Sequence, residues 1–196
     1  MSSEMLRPKI GVVGGEIGWR LGTLNDGEEV GKIIGRRGAI LVFDLGTNYE
    51  DSQFPLATAR GARSAGGDTL GITTTKFLAR ETSQKYATWV LTPSKESEDY
   101  QYQTLIRMSD ALIVVNFNLT QQRDFARRVT GRIPMIRLNS PRMLEKGSSL
   151  IQAAADPKEA VDFAISKIMA KEGRRKPDFK EGALYDWAMD RIYPKE

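Results

Sequence analysis

Residues 109 to 138, SDALIVVNFNLTQQRDFARRVTGRIPMIRL, hold a strand, a turn, a helix and a second strand in direct succession. Ala111 to Val115 is an unbroken apolar run rich in β-branched residues, the pattern of a strand buried on both faces of a parallel sheet. Thr120 is placed to cap a helix reaching about Thr130, with Leu119, Phe125, Ala126 and Val129 as its apolar contacts. Gly131 ends that helix. Ile133 to Leu138 then returns as a strand, with Pro134 near its start where a missing N–H is tolerated. The unit is βαβ. Its turn, Asn116 to Thr120, falls at the carboxyl end of a strand and the amino end of a helix. Free backbone N–H groups favour anions there, and open α/β sheets bind ligands at that edge. The alternative is that Asn116 and Asn118 only satisfy a tight turn and Thr120 only caps.

The same grammar runs outward in both directions. Lys9 to Val13 reads as the first strand and closes on Gly14-Gly15, where the chain can turn sharply or admit a ligand closely. The spacing is Gly-x-x-Gly-Gly, so the G-x-G-x-x-G dinucleotide fingerprint is not met. Glu16 to Thr23 reads as an irregular lead-in. Asp26 and Glu29 have capping-box spacing before Val30, Ile33 and Ile34, on a helix ending near Gly38. Ala39 to Phe43 is a second buried strand. It delivers Asp44, Leu45, Gly46, Thr47 and Asn48 to the edge of the first glycine loop if the strands run parallel. Pro55 to Ala65 is a helix whose small residues Ala57, Ala59, Gly61, Ala62 and Ala65 permit close packing on the sheet, and Gly66-Gly67 stops it.

Thr69 to Thr74 and Tyr86 to Leu91 read as further strands, with Trp89 a large core candidate. A helix after Pro93 turns Tyr102, Leu105 and Ile106 inward. Asp156-Pro157 with Glu159 opens the clearest helix, with Ala160, Val161, Ala164, Ile165, Ile168 and Met169 at helical spacing and Gly173 closing it. Lys171 to Lys180 resembles a linker. Beyond it, Ala183 to Ile192 forms a short helix whose Leu184, Trp187, Ala188 and Ile192 need a surface to cover, on this domain or on a partner subunit. The expected architecture is α/β and doubly wound, a mostly parallel sheet flanked by helices. Residues 1–172 make a single domain, and residues 173–196 are a linker and terminal helix.

Composition narrows the chemistry. The 196 residues suit one well-filled α/β domain, with 40% hydrophobic and 28% charged residues. A net charge of +4 is too slight to argue for nucleic acid. The one dense basic run, Arg174, Arg175 and Lys176, suits a solvated linker. With no Cys and no His, disulfides, thiol nucleophiles, His-based triads and the common transition-metal clusters are excluded, and no metal is expected. The opening MSSEMLRPK lacks the apolar core of a secretory leader, and no segment approaches the roughly 20 apolar residues of a membrane span. The expectation is a cytoplasmic protein.

Three runs, EEVGKIIGRRGAILV, ATARGARSAGGDTLGI and LIRMSDALIVV, followed by a strand-turn-helix and the strand IPMIRL, resemble the Rossmann-like nucleotide-binding superfamily called SLOG over about residues 8 to 140. That superfamily includes the LOG-type phosphoribohydrolases, also called possible lysine decarboxylases, and the molybdenum-cofactor carrier proteins. The resemblance implies a nucleotide-like ligand and a homodimer paired through helices beside the site. LOG enzymes carry P-G-G-x-G-T-x-x-E after the SDA strand, where this chain has Val115 to Asp124 without those glycines. Counting from the strand sets Asp124 against the family's catalytic glutamate, a carboxylate one methylene shorter. The family arginine on the preceding helix is replaced at about Gln101 and Tyr102. Of the second glycine cluster, matched loosely to Asp44 to Leu56, only Gly46 survives.

The reading that follows is a divergent binding protein for a nucleotide or nucleotide derivative, without the LOG phosphoribohydrolase activity. Its ligand would lie against Gly14, Gly15, Glu16, Gly46, Thr47, Asn48, Asn116, Asn118 and Thr120. One alternative is a hydrolase or deoxyribosyltransferase-like enzyme that cleaves the N-glycosidic bond of a nucleoside 5′-monophosphate. Asp124 would then stabilise an oxocarbenium-like state, with Arg123 or Arg107 facing the phosphate. A second alternative is an interaction protein without a small ligand.

Overall fold

The computed structural model describes residues 7–14, 21–45, 53–73, 85–91, 98–116, 129, 133–139 and 151–172. Within them the element order is β1 (Lys9–Gly14), α1 (Leu21–Arg36), β2 (Ile40–Asp44), α2 (Gln53–Ser64), β3 (Asp68–Ile72), β4 (Trp89–Leu91), α3 (Glu98–Met108), β5 (Ala111–Val115), β6 (Met135–Leu138), β7 (Ile151–Ala154) and α4 (Pro157–Glu172). The strands form one seven-stranded sheet in the order β4-β3-β2-β1-β5-β6-β7. All six pairings are parallel. The sheet is therefore the expected doubly wound one: the chain steps outward from β1 to β4, then returns to the other side of β1 with β5.

Both faces of the sheet are covered, which is why its strands read as continuous apolar runs. Ile10, Val12, Leu41, Phe43, Ile113 and Leu138 pack with α1, α2 and α4 residues such as Val30, Ile34, Ala59 and Ala164. Val13, Val42, Leu112, Val114 and Met135 pack on the opposite face with Leu105 and Ile106 of α3 and with Val129. Tyr102 joins that second cluster half-buried, so the inward residues of α3 are those expected. Among residues 120–130 only Val129 is described, and it is helical and buried.

The sequence expectation for α1 needs correction. The helix begins at Leu21, so Thr23 is not lead-in and Asp26 lies inside the helix instead of capping it. Four glycines in sixteen residues argue against that helix on propensity alone. Packing overrides propensity. A Cβ on Gly31 would lie 1.9 Å from the Thr58 carbonyl oxygen, and one on Gly61 would lie 2.0 Å from that of Glu28. The two helices meet backbone to backbone, so Gly61 and Ala62 of α2 and Ala65 just after it also serve a helix-to-helix seam, while Ala59 and Ala62 join the core against the sheet as expected. Arg60 closes the seam at its rim with a 2.7 Å ion pair to Glu28.

Both seam helices end alike. Ala39 N–H donates to Ile34 O at 3.2 Å and Gly38 N–H to Gly35 O at 3.0 Å. Gly67 N–H donates to Ala62 O at 2.9 Å and Gly66 N–H to Arg63 O at 3.0 Å. These are Schellman closures, with Gly38 at φ 71° and Gly66 at φ 74°. α4 opens with the reciprocal bonds its sequence promised: Glu159 N–H donates to Asp156 Oδ1 at 2.8 Å, and Ala155 N–H donates to Glu159 Oε2 at 2.6 Å.

Other corrections are local. β7 was not anticipated, because an edge strand of Ile151, Gln152, Ala153 and Ala154 has no apolar run. Tyr86 sits in a helical turn before β4 and not in the strand. Trp89, on that edge strand, is only half-buried beside the second cluster. Met169 is 45% exposed despite its helical spacing, and α4 continues through Lys171 into the expected linker. The terminal helix expected at 183–192 lies outside the described residues. No helix among the described residues is long and apolar enough to cross a membrane.

Candidate functional site

The strand order reverses between β1 and β5, and it is at such a reversal that open α/β sheets bind ligands, in a crevice at the carboxyl edge. β2, β1 and β5 are consecutive neighbours in the sheet. The three turns anticipated from sequence therefore leave one edge side by side: after Gly14, after Leu45 and after Val115. Register places Gly14 opposite Val115, so Gly14 and Asn116 come together at the reversal.

Of the expected contact residues, only Gly14 and Asn116 are described. Gly15, Glu16, Gly46, Thr47, Asn48, Asn118, Thr120 and the candidate catalytic Asp124 lie outside the described residues. Gly14 has a packing reason of its own. A Cβ there would stand 2.5 Å from the ring of Phe54, so the space its missing side chain opens is taken by α2. What Gly14 offers the crevice is backbone.

Asn116 is more than a turn residue. Its backbone is left-handed, φ 55°, and its N–H donates to Leu138 O at 3.0 Å, extending the ladder one step beyond the strand. Its side-chain Nδ2 donates to Thr23 Oγ1 at 2.6 Å. Thr23 is 5% exposed, a polar side chain buried within the first turn of α1. One strand over, Asn139 follows β6 in the same way, with φ 51° and Nδ2 donating to Asp26 Oδ2 at 2.6 Å. Thr23 and Asn139 were not singled out from sequence and Asp26 was read only as half of a capping box, because their partners lie 93 and 113 positions away along the chain. A partial signal existed. Asn directly after a buried strand is the residue best able, after glycine, to enter the left-handed region.

The described part of the edge carries the hydroxyl and amides of Thr23, Asn116 and Asn139 beside the carboxylate of Asp26, with Asp44 at the end of β2. Hydroxyl and amide groups are suited to orienting a phosphorylated organic molecule, while α1 carries no acidic residue in its first turn to oppose an anion. Among the described residues no cluster of three acidic side chains is placed to hold a metal ion.

The SDA signature lies at the other end of the sheet. Asp110 N–H donates to Lys9 O at 2.7 Å while Lys9 N–H donates to Asp110 Oδ2 at 2.9 Å. Ser109 Oγ donates to Leu105 O at 2.7 Å. A Cβ on Gly11 would fall 2.4 Å from both Ser109 Oγ and the Leu112 side chain. These residues align β5 with β1 at the edge remote from the crevice.

Solved structures share this architecture at low sequence identity. The molybdenum cofactor carrier protein of Chlamydomonas reinhardtii is 22% identical with a TM-score of 0.64, the match covering 84% of this chain and 99% of that one. The molybdenum cofactor binding protein of the phototrophic bacterium Rippkaea orientalis is 21% identical with a TM-score of 0.65, covering 83% and 98%. Both are likenesses of fold. No curated protein matches the chain. The SLOG cluster4 family model matches residues 7–167, a span from two residues ahead of β1 into the last turns of α4, and with that extent the chain belongs to the SLOG cluster4 family.

Proposed function

We propose that this protein binds a phosphate-bearing nucleotide or nucleotide derivative at the carboxyl edge of β2, β1 and β5, without LOG-type phosphoribohydrolase activity. The observation that carries the reading is the reversal of strand order between β1 and β5, with Gly14 and Asn116 set beside it. Gly15, Glu16, Gly46, Thr47, Asn48, Asn118 and Thr120 continue the three turns and complete the contact set. The absence of the P-G-G-x-G-T-x-x-E glycines argues against the phosphoribohydrolase reaction, since Phe117 and Asn118 stand in sequence where glycines would let several N–H groups converge on a phosphate.

Two similar folds belong to proteins described as carrying or binding the molybdenum cofactor, so that phosphorylated pterin belongs beside nucleotides among the probes. In a thermal-shift panel of AMP, ADP-ribose, NAD and molybdopterin, a ligand at a hundred times its dissociation constant adds about 2.7 kcal/mol. That raises the melting temperature by roughly 5–10 °C for a chain of this size. A panel that leaves it unmoved overturns the reading.

The enzyme reading is retained for one observation: Asp124 counts onto the family's catalytic glutamate. It is tested by release of free base. Pairing into a homodimer, packing of the 173–196 segment on the domain or its partner, and a cytoplasmic location complete the proposal.

A further inference from the structure

Asn116 and Asn139 repeat one device on adjacent strands. Val115 and Leu138 are register partners, so the two asparagines stand at the same level of the sheet. Each has a left-handed backbone, and they are the only non-glycine residues among those described that do. Each sends Nδ2 at 2.6 Å to α1, Asn116 to Thr23 Oγ1 and Asn139 to Asp26 Oδ2. Thr23 and Asp26 are three apart and so lie on one face of the helix. The glycine seam with α2 grips α1 from Gly27 to Gly35, beginning only after these two residues.

We infer that Thr23, Asp26, Asn116 and Asn139 form a two-point clamp that seats the first turns of α1 against the ends of β5 and β6. They are positioning residues for whatever occupies the crevice. This rests on the ligand-binding reading above. The seam fixes the helix along its later turns, and the clamp fixes the end that flanks the reversal of strand order. The left-handed turns belong to the device: residues in sparsely populated backbone regions persist where the surroundings over-determine them and gather at ligand clamps. A strand continuing in extended form would carry each asparagine past α1.

Glycine substitution separates the backbone from the side chain. Glycine adopts positive φ freely, so Asn116→Gly with Asn139→Gly keeps both turns and removes both hydrogen bonds, whereas alanine loses both. Amide exchange read by mass spectrometry on the full chain needs no ligand. The paired glycine variant is expected to exchange residues 21–27 at least about tenfold faster than wild type, with residues 31–36 unchanged. It should also melt above the paired alanine variant. Affinity for the panel probe that the wild type binds should fall about tenfold or more. Thr23→Ser should retain wild-type affinity by keeping the hydroxyl, while Thr23→Val, of the same shape, should not. Unchanged exchange at residues 21–27 overturns the clamp. Accelerated exchange with wild-type affinity overturns its positioning role and leaves the binding reading standing. A wild type that binds no probe overturns both the binding reading and the positioning role, with the exchange result reporting separately on the clamp itself.

Discussion

Replacing Gly31 by alanine tests the seam on which α1 is hung. In an unpacked helix the change stabilises, because alanine exceeds glycine in helix propensity by about 1 kcal/mol. Here the added methyl would stand 1.9 Å from the Thr58 carbonyl oxygen, about 1.5 Å short of an ordinary 3.4 Å contact. The obstacle is backbone on the facing helix, so no rotamer change relieves it and the helices must part. Overpacking a close contact costs about 1–3 kcal/mol, sometimes more. A clash this deep belongs at the upper end, so after the propensity gain the net loss is about 2 kcal/mol. That is roughly 4–8 °C in melting temperature for a chain of this size. Urea denaturation read by circular dichroism should show a lowered midpoint with unchanged slope. The reciprocal Gly61→Ala, at 2.0 Å from Glu28 O, should match it. Gly27→Ala meets first the movable Phe54 ring at 2.7 Å and should cost less. A Gly31→Ala protein as stable as wild type or more so would refute the backbone seam. Parting the helices also lifts Thr23 and Asp26 from their asparagines, so the same variant should bind ligand less well.

Four further outcomes are expected. Asp156→Ala removes the cap of α4 and should cost about 1 kcal/mol, measured by the urea midpoint. The Lys158 hydrogen bond, with Arg37 beside it, holds the Asp162 carboxyl below its ordinary range, and Arg60, with Lys32, does the same for Glu28. Because these folded-state pKa values are depressed, the pairs stabilise above the ordinary carboxylate pKa and lose that contribution as pH falls through the folded-state values. Asp162→Asn should therefore cost a few tenths to about 1 kcal/mol at neutral pH and almost nothing once wild-type Asp162 is protonated, as urea midpoints across pH will report. Asp124→Asn should change neither base release from nucleoside monophosphates, followed by chromatography, nor melting temperature; wild-type turnover lost in the variant would make this an enzyme. Light scattering should give twice the 21.9 kDa chain mass, and a monomer at tens of micromolar would dispose of the dimer.

The strands were legible where burial on both faces forced apolar runs, as in Ala111 to Val115, and α4 was legible because its cap, proline and stripe are consecutive. The start of α1 was not. Asp26 and Glu29 have the spacing of a capping box, but capping depends on where the helix begins, and Asp26 spends an oxygen on Asn139 instead. The small residues of α2, Gly61 among them, looked like sheet contacts, and the glycines of α1 carried no reading. Their use appears only when Gly31 and Gly61 are brought to face opposing carbonyls. Sequence brought the ends of β1, β2 and β5 to one edge of the sheet, since strand ends are local signals. It missed Thr23 and Asn139, whose roles exist only through partners on distant elements.

That division bears on what family membership can mean here. The SDA signature that supports the resemblance joins β5 to β1 at the amino edge, through Asp110 with Lys9 and through Ser109 over Gly11. It would be retained by any member that needs this sheet, whatever its ligand. The residues that differ from the LOG pattern begin at Asn116, directly after β5 at the carboxyl edge, where open α/β sheets bind their ligands. A shared signature at one edge and different residues following β5 at the other fit the general rule that function lives in sites grafted on a fold. The clamp fits that description. Asn116 directly precedes the positions where the LOG pattern has glycines and Asn139 follows the neighbouring strand, and both hold α1 by side-chain bonds, so affinity in this protein should depend on the Thr23 and Asn116 side chains.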